Sequence, residues 1–379
     1  MPLSQIVSAS IEDGAVAPVD LSSVAQYTGF KNRLINGDMR IDQRNAGASV
    51  TQTTSVAYNI DRWFAYGAQA SKFTIQQNAG SVTPPTGFSN YLGVTSSSAY
   101  SVLSTDLFFV GQYIEGFNFA DLAWGTANAQ TVTLSFWVRS SLTGTFGGGL
   151  QNNASNRSYP FSYTISAANT WEQKSITIAG DTTGTWVGST NGIGLRMWLS
   201  VGMGSTYSGT AGAWAAADIR SVTGAVSVVG TNGATFYITG VQIEKGVTAT
   251  SFDYRPYGTE LSLCRRYFRK LTGTSATPLS CQGPQYLDAN TIYFSYQADL
   301  NDMRAAPTAA LVGTANTDYA VWNSPFAQQT GFTINAVAYT NFGGVQFQTT
   351  KSLHGLSNNP QIYFGTVTTT GALTLSSEL

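Results

Sequence analysis

Histidine and cysteine are nearly absent from this sequence: His354 is the only histidine, and Cys264 and Cys281 are the only cysteines. That removes histidine-based zinc sites, and a Ser-His-Asp triad would have to be built on His354, which sits in the loop-like stretch KSLHGLSNN. Two cysteines permit one disulfide without arguing for it. Charge is also scarce, at 10% of residues with a net charge of −1. With no basic excess to neutralise phosphates, no nucleic-acid partner is expected. No apolar run approaches the ~20 residues of a membrane helix, so no membrane insertion is expected. The start, MPLSQIVSASIEDG, has neither the cationic beginning nor the apolar stretch of a secretory signal. Lys, Glu and Leu are sparse, which weighs against helices.

Glycine, at 39 residues, and aromatics, at 12%, are plentiful, a balance that favours strands and turns. From Asn32 onward the apolar residues alternate. NRLINGDMRIDQRN places Leu34, Met39 and Ile41 around an Asn-Gly turn signal, and SKFTIQQNAG alternates at Phe73 and Ile75. TVTLSFWVRSS is the clearest strand, with Val132, Leu134, Phe136 and Val138 on one face. YNIDRWFAY, WEQKSITIAG and GIGLRMWLSVG continue the series. In GATFYITGVQIEKG the parity changes between Ile238 and Val241, which predicts a bulge near Gly240. These strands predict an all-β, antiparallel jelly-roll sandwich over residues 32–257.

The helical signal is scant. NFADLAW suits one turn, AGAWAAADIR a loop or a turn, and YGTELSLCRRYF a short helix around Leu261 to Cys264 that runs into a strand. NTIYFSYQADLN, DYAVWN, GFTINAVAYT and their neighbours predict a second, smaller β-sandwich over 258–379, with Pro307 in MRAAPTAALVG at an edge or turn. No strict short repeat is present, which weighs against a β-helix or propeller. Residues 1–31 hold scattered apolar residues without a period. They are an irregular segment that either orders against a partner or is a flexible tail.

In this charge-poor chain, nine charged residues fall between Glu244 and Lys270. The stretch reads as a seam between two β domains. Arg255 and Arg62 are candidates to pair with Asp61, Asp253 or Glu244, an arrangement that suits a lock better than a reaction centre. Jelly-roll sandwiches often hold a structural Ca²⁺ near their first and last strands, which makes Asp38, Asp61 and Glu244 candidate ligands, although the same acids suit ion pairs with Arg40 and Arg62.

NRLINGDMRIDQRNAG followed by YNIDRWFAY, the closing stretch FYITGVQIEKGVTATSFDYRPYGTELSLCRRYF, and MRAAPTAAL resemble segments of bacteriophage tail-fibre and receptor-binding proteins with a carbohydrate-binding-module-like jelly roll. The sequence departs from that pattern at Met39, Asp42 and Arg265. The resemblance implies a virion fibre or spike protein that is usually a homotrimer. It also implies that residues 1–31 are an attachment or trimerising segment that joins other virion proteins, and that the C-terminal part faces the host.

Sugar binding needs aromatic platforms and planar polar side chains. Aromatics read as turn residues are candidates: Trp186, Tyr207, Trp214, Trp322 and Tyr339. Trp137 and Trp198 lie within strand patterns and read as core. The twenty acids form no compact pair of the kind glycoside hydrolysis requires. Binding of host glycan without catalysis and without a cofactor is therefore expected. A structural head-fibre, collar or decoration part and a polysaccharide depolymerase are the alternatives. The trimer is checked by light scattering at micromolar concentration, where three times the chain mass is expected and a monomer would contradict it.

Overall fold

In the computed structural model, the structure describes residues 31–272, 302–313 and 371–379. It also describes the backbone of 285–288, 291–297, 319–323, 327–329, 333–339, 344–350 and 362–366. The segment 1–30, Cys281 and His354 lie outside the described residues. The chain divides into two compact units, Met1–Arg255 and Pro256–Leu379.

In the first unit the strands are β1 (Val50–Thr51), β2 (Ala57–Ile60), β3 (Trp63–Gly67), β4 (Phe73–Gln77), β5 (Leu92–Ser96), β6 (Leu107–Glu115) and β7 (Val132–Ser140). They continue with β8 (Gly144–Gln151), β9 (Ser158–Ile165), β10 (Glu172–Ile178), β11 (Ile193–Met203), β12 (Ser208–Gly209), β13 (Ser221–Val222) and β14 (Thr235–Lys245). One six-stranded sheet has the order β1-β4-β5-β14-β7-β10 and the other β2-β3-β6-β11-β8-β9. The chain crosses repeatedly between them, and the six-stranded sheets pair antiparallel throughout, as a jelly roll requires. Val132, Leu134, Phe136 and Val138 of β7 are all buried, facing Phe146, Leu150, Met197 and Leu199 in one core. The expected bulge is present: the β14–β7 register slips between Thr239 and Gln242, and Gly240 has φ +61°. NFADLAW forms two short 3-10 turns, Gly116–Asn118 and Ala120–Leu122.

The charge-rich closing stretch and the opening motif explain each other. β5 pairs with β14 over Thr235–Ile238. Beyond the bulge the opening segment takes over that edge. Val241 N–H donates to Gly37 O (2.9 Å) and Arg33 N–H to Ile243 O (2.9 Å). A Cβ on Gly37 would stand 2.2 Å from Val241 O, so the backbones approach this closely only with glycine there. Asn32 ties the two stretches with its side chain. Its Nδ2 donates to Val241 O (3.0 Å), and its Oδ1 accepts from Leu34 N–H (3.0 Å) and Ile243 N–H (3.2 Å). Asn36, at φ 58°, bonds Ile41 O, Ile41 N–H and Asp61 O through its amide, and Trp63 Nε1 donates to its carbonyl.

In the second unit helix α1 spans Tyr257–Arg265, longer than the sequence predicts. It starts directly after Pro256, and Glu260 in its first turn complements the helix N-terminus. β15 (Phe268–Leu271) follows, as expected. The remaining strands are β16 (Gln285–Asp288), β17 (Thr291–Gln297), β18 (Thr308–Val312), β19 (Tyr319–Asn323), β20 (Ala327–Gln329), β21 (Thr333–Tyr339), β22 (Gly344–Thr350), β23 (Ile362–Thr366) and β24 (Ala372–Ser376). Their orders are β15-β24-β18, β16-β17-β22-β21 and β20-β19-β23. Pro307 directly precedes β18, an outer member of its sheet. Arg304 binds the chain end, with Nε donating to Ser377 O (2.6 Å) and Nη2 to Glu378 O (2.9 Å). Of the local basic group, Arg269 pairs with Asp302.

Replacing Asn32 with alanine orphans buried backbone groups of β14. We expect a loss of about 2–4 kcal/mol, read as a lower denaturant midpoint for the first unit.

Candidate functional site

The second six-stranded sheet is apolar on both faces. Along β11, Leu195, Met197, Leu199 and Val201 enter the sandwich core, while Arg196, Trp198 and Ser200 point the other way. The register fixes their neighbours. Trp198 stands opposite Gly111 of β6 and Gly149 of β8, and Gly111 stands opposite Phe64 of β3. Arg196 stands between Tyr113 and Gln151, and Ser200 beside Phe109, which pairs with Tyr66. A Cβ on Gly111 would stand 2.3 Å from Met197 O and would also crowd the rings of Phe64 (3.2 Å) and Trp198 (3.4 Å), so this row is glycine where the indole lies.

The outcome is a second apolar cluster, of Phe64, Phe109 and Trp198, with half-buried Tyr58, Tyr66 and Tyr113 packed on it. Ring centroids are 4.5 Å apart for Phe109–Trp198 and for Phe64–Tyr113, and 5.6 Å for Tyr113–Trp198, the last pair being edge-to-face at 90°. Tyr66 stacks on Phe109 at 5.6 Å.

The loop from 204 to 222 folds over this face. Tyr207 closes its 3-10 turn Ser205–Tyr207, and Arg220 N–H donates to Tyr207 O (2.9 Å). The Arg220 guanidinium lies 5.0 Å from the Trp198 ring, 5.4 Å from Tyr207 and 5.9 Å from Phe109. It is held by both oxygens of Asp218, and Gln151 Nε2 donates to Asp218 Oδ1 (2.6 Å). Burial pushes the Asp218 carboxyl up, but the bonds from Arg220 and Gln151 outweigh it and leave it below the usual range. Burial likewise raises the Tyr113 phenol against the pull of Arg196 and Arg220. Trp198 Nε1, Ser200 Oγ, Ser221 Oγ and Gln151 Oε1 are buried and find no hydrogen-bond partner among the described residues. Chemically, this surface offers half-buried tyrosine rings and guanidinium groups side by side, above a layer of buried polar atoms.

Of the five aromatic candidates, the structure brings Tyr207 to this face. Trp186 and Trp214 join a different cluster at the core's edge, with Phe119, Trp124 and Tyr159. Both are half-buried, and their indole N–H groups are engaged, Trp186 with Asp181 Oδ2 (3.2 Å) and Trp214 with Ala179 O (2.8 Å). Asp181 is in turn clasped by Arg157 at 2.6 and 2.8 Å. Trp322 and Tyr339, read from sequence as turn residues, belong instead to β19 and β21, because ladder pairing extends through them. Their side chains lie outside the described residues. Trp137 is half-buried. Trp198 is buried as expected, but on the face away from the sandwich core. Sequence reasoning missed Tyr66, Tyr113, Arg196 and Arg220. The available signal was parity, since Arg196 and Trp198 alternate with the core set of β11.

The five seam residues make bonds that close the first unit on itself. Asp253 Oδ2 accepts from Asn32 N–H (3.2 Å) and lies 3.6 Å from Arg255 Nε. Arg255 donates to Leu34 O (3.2 Å) and Asn32 O. Glu244 accepts from Gln242 Nε2 (2.8 Å) and from Thr250 N–H and Oγ1 (2.8 and 2.6 Å). Asp61 and Arg62 form the β2–β3 turn. Arg62 donates to Tyr113 O (2.6 Å), and Asp61 accepts from Gln43 Nε2 (2.7 Å) with Arg44 Nε at 3.5 Å. Asp38 pairs with Arg40 at 3.0 Å. The three acids proposed for Ca²⁺ are thus engaged separately, and among the described residues no group of three metal-ligating side chains forms.

No protein-family model matches the sequence, and no curated protein does. Among solved structures, the chain is similar to the enzymatically active domain of tailspike protein 4 from bacteriophage CBA120. That match has 11% identity over 57% of this chain and 21% of that one, with a TM-score of 0.29. It is similar to the carbohydrate-binding module TmCBM61, solved with β-1,4-galactotriose, at 9% identity over 57% of this chain and 99% of that one, with a TM-score of 0.29. A family 11 carbohydrate-binding module from Clostridium thermocellum, in complex with a β-1,3-1,4-mixed-linked tetrasaccharide, matches at 11% identity over 54% of this chain and 97% of that one, with a TM-score of 0.26.

Burial raises the Asp61 carboxyl to about 7, because Arg44 at 3.5 Å and the Gln43 bond do not repay its desolvation. A raised acid in the folded protein stabilises it below pH ~4, and that contribution is lost as pH rises through about 7. Asp61→Asn is therefore expected to match the parent near pH 4. It should gain on the parent by on the order of 3 kcal/mol by pH 8, measured as the Tm difference across that range.

Proposed function

We propose that the first unit binds a host surface glycan through the outer face of its second sheet, as part of a bacteriophage fibre, without hydrolysing it. The observation that carries the binding reading is the half-buried set Tyr66 and Tyr113 on one sheet face and Tyr207 on the loop over it, beside the Arg196 and Arg220 guanidinium groups. Pyranose rings stack on aromatic faces, and their hydroxyls need planar hydrogen-bonding groups beside them. The virion setting is supported by the likeness of the opening, closing and MRAAPTAAL segments to phage tail-fibre proteins. In this reading the protein is a homotrimer joined to other virion proteins through residues 1–31. Asp218 is poorly suited to be a catalytic acid, since two donors hold it ionised.

The test is saturable binding of labelled protein to susceptible and resistant host cells, with released reducing sugar assayed in the same tubes. Binding without sugar release is expected, and it should weaken about tenfold or more in Tyr66→Ala and Tyr207→Ala, a loss of about 1.4 kcal/mol or more. No binding would favour a structural virion part, and sugar release would make the protein a depolymerase.

A further inference from the structure

We propose that the saccharide taken by this face is anionic, and that Arg196 reads its acid group. The inference rests on the glycan-binding reading above and concerns the class of sugar.

Arg196 lies mid-strand on β11, with its guanidinium 5.5 Å from the Tyr113 ring. Its Nη1 donates to Ser155 Oγ (2.7 Å) and its Nη2 to Asn153 Oδ1 (2.9 Å), both neutral acceptors. Its Nε is buried with no partner among the described residues. Of the five N–H donors of a guanidinium, two are engaged here and the buried Nε is out of a ligand's reach, which leaves one hydrogen each on Nη1 and Nη2. Four other arginines withdrawn from solvent in this unit are compensated. Arg33, Arg44, Arg157 and Arg220 each have a carboxylate within 3.5 Å. Arg196 makes no such pair among the described residues. The nearby acid, Asp218, is bound by Arg220 on both oxygens.

A partly buried guanidinium held in place by neutral groups is oriented but not neutralised. Burial lowers its pKa, which is the sign of that cost; Arg220 adds to it, and the opposing pulls of Tyr113 and of Asp218 do not offset it. Neutral hydroxyls would not relieve the cost, whereas a carboxylate or phosphate oxygen pair would, by charge-assisted bonds to the free donors. Stacking on Tyr66 and Tyr207 would supply contact area, and Arg196 the choice between an acidic sugar and its neutral counterpart.

The experiment uses the full chain on a glycan array. The array carries uronate- and sialate-bearing saccharides, phosphorylated saccharides, and the carboxyl-reduced or dephosphorylated form of each. The expected result is signal on acidic saccharides and at least a tenfold weaker signal on their neutral forms. Carboxylate arms and phosphate arms identify which acid is read. Binding should weaken as NaCl rises from 50 to 500 mM. Arg196→Gln should lose at least tenfold on acidic saccharides, and Arg196→Lys less. An unchanged Tm for Arg196→Gln would exclude unfolding, and the salt dependence of the unaltered protein stands independently of any variant. Equal binding to neutral forms, lost in Tyr66→Ala but kept in Arg196→Gln, would overturn this inference and leave the glycan face intact. No signal on any saccharide would overturn both.

Discussion

Where the chain begins its first sandwich, the amide of Asn32 reaches the strand that finishes it, bonding groups 209 and 211 residues away. β14 runs through the middle of its sheet, and β5 covers only the first half of its edge. The second half would expose backbone donors and acceptors if the opening segment did not lie along it. Asn32, the close approach at Gly37, and the Arg255 bonds to Asn32 O and Leu34 O all serve that one pairing. Asp253 and Arg255, two of the charges gathered after Glu244, therefore have a local physical cause. Guanidinium and carboxylate groups satisfy the backbone of a segment that has no ladder partner of its own.

The second sheet meets a different constraint. One face fills the sandwich, and the other carries enough aromatic area to need a cover. The chain supplies the cover from its own loop, with Arg220 laid over three rings and anchored by Asp218. Glycine at 111 lets Phe64 and Trp198 lie against the strand instead of standing on it. The cost is a set of buried polar atoms left without partners.

Alternation made much of the fold legible. The β7 core set, the β14 bulge at Gly240, the helix leading into β15 and the edge position of Pro307 follow from period, parity and the missing proline N–H. The face was harder to read. A strand buried on both sides shows no polar alternation, so Trp198 reads as core without revealing which core. Trp186 and Trp214 sit in loops, and sequence gives no sign that those loops fold back onto Trp124. Nothing local predicts that the loop after Gly204 crosses β8 and β11, because that path depends on glycines contributed by other strands.

The long reach of the Asn32 bonds also bears on how the protein is made. Contacts so distant in sequence carry a large loop-closure cost and slow the search for the native state. During synthesis, the sheet cannot gain its central strand until residues 235–245 have left the ribosome. Until then β5 and β7 both lack the neighbour that lies between them. Two apolar strands with open edges are then exposed at once, the condition under which nascent β-proteins associate wrongly. Completion of this unit is thus a late, all-at-once event, set by the arrival of its last strand.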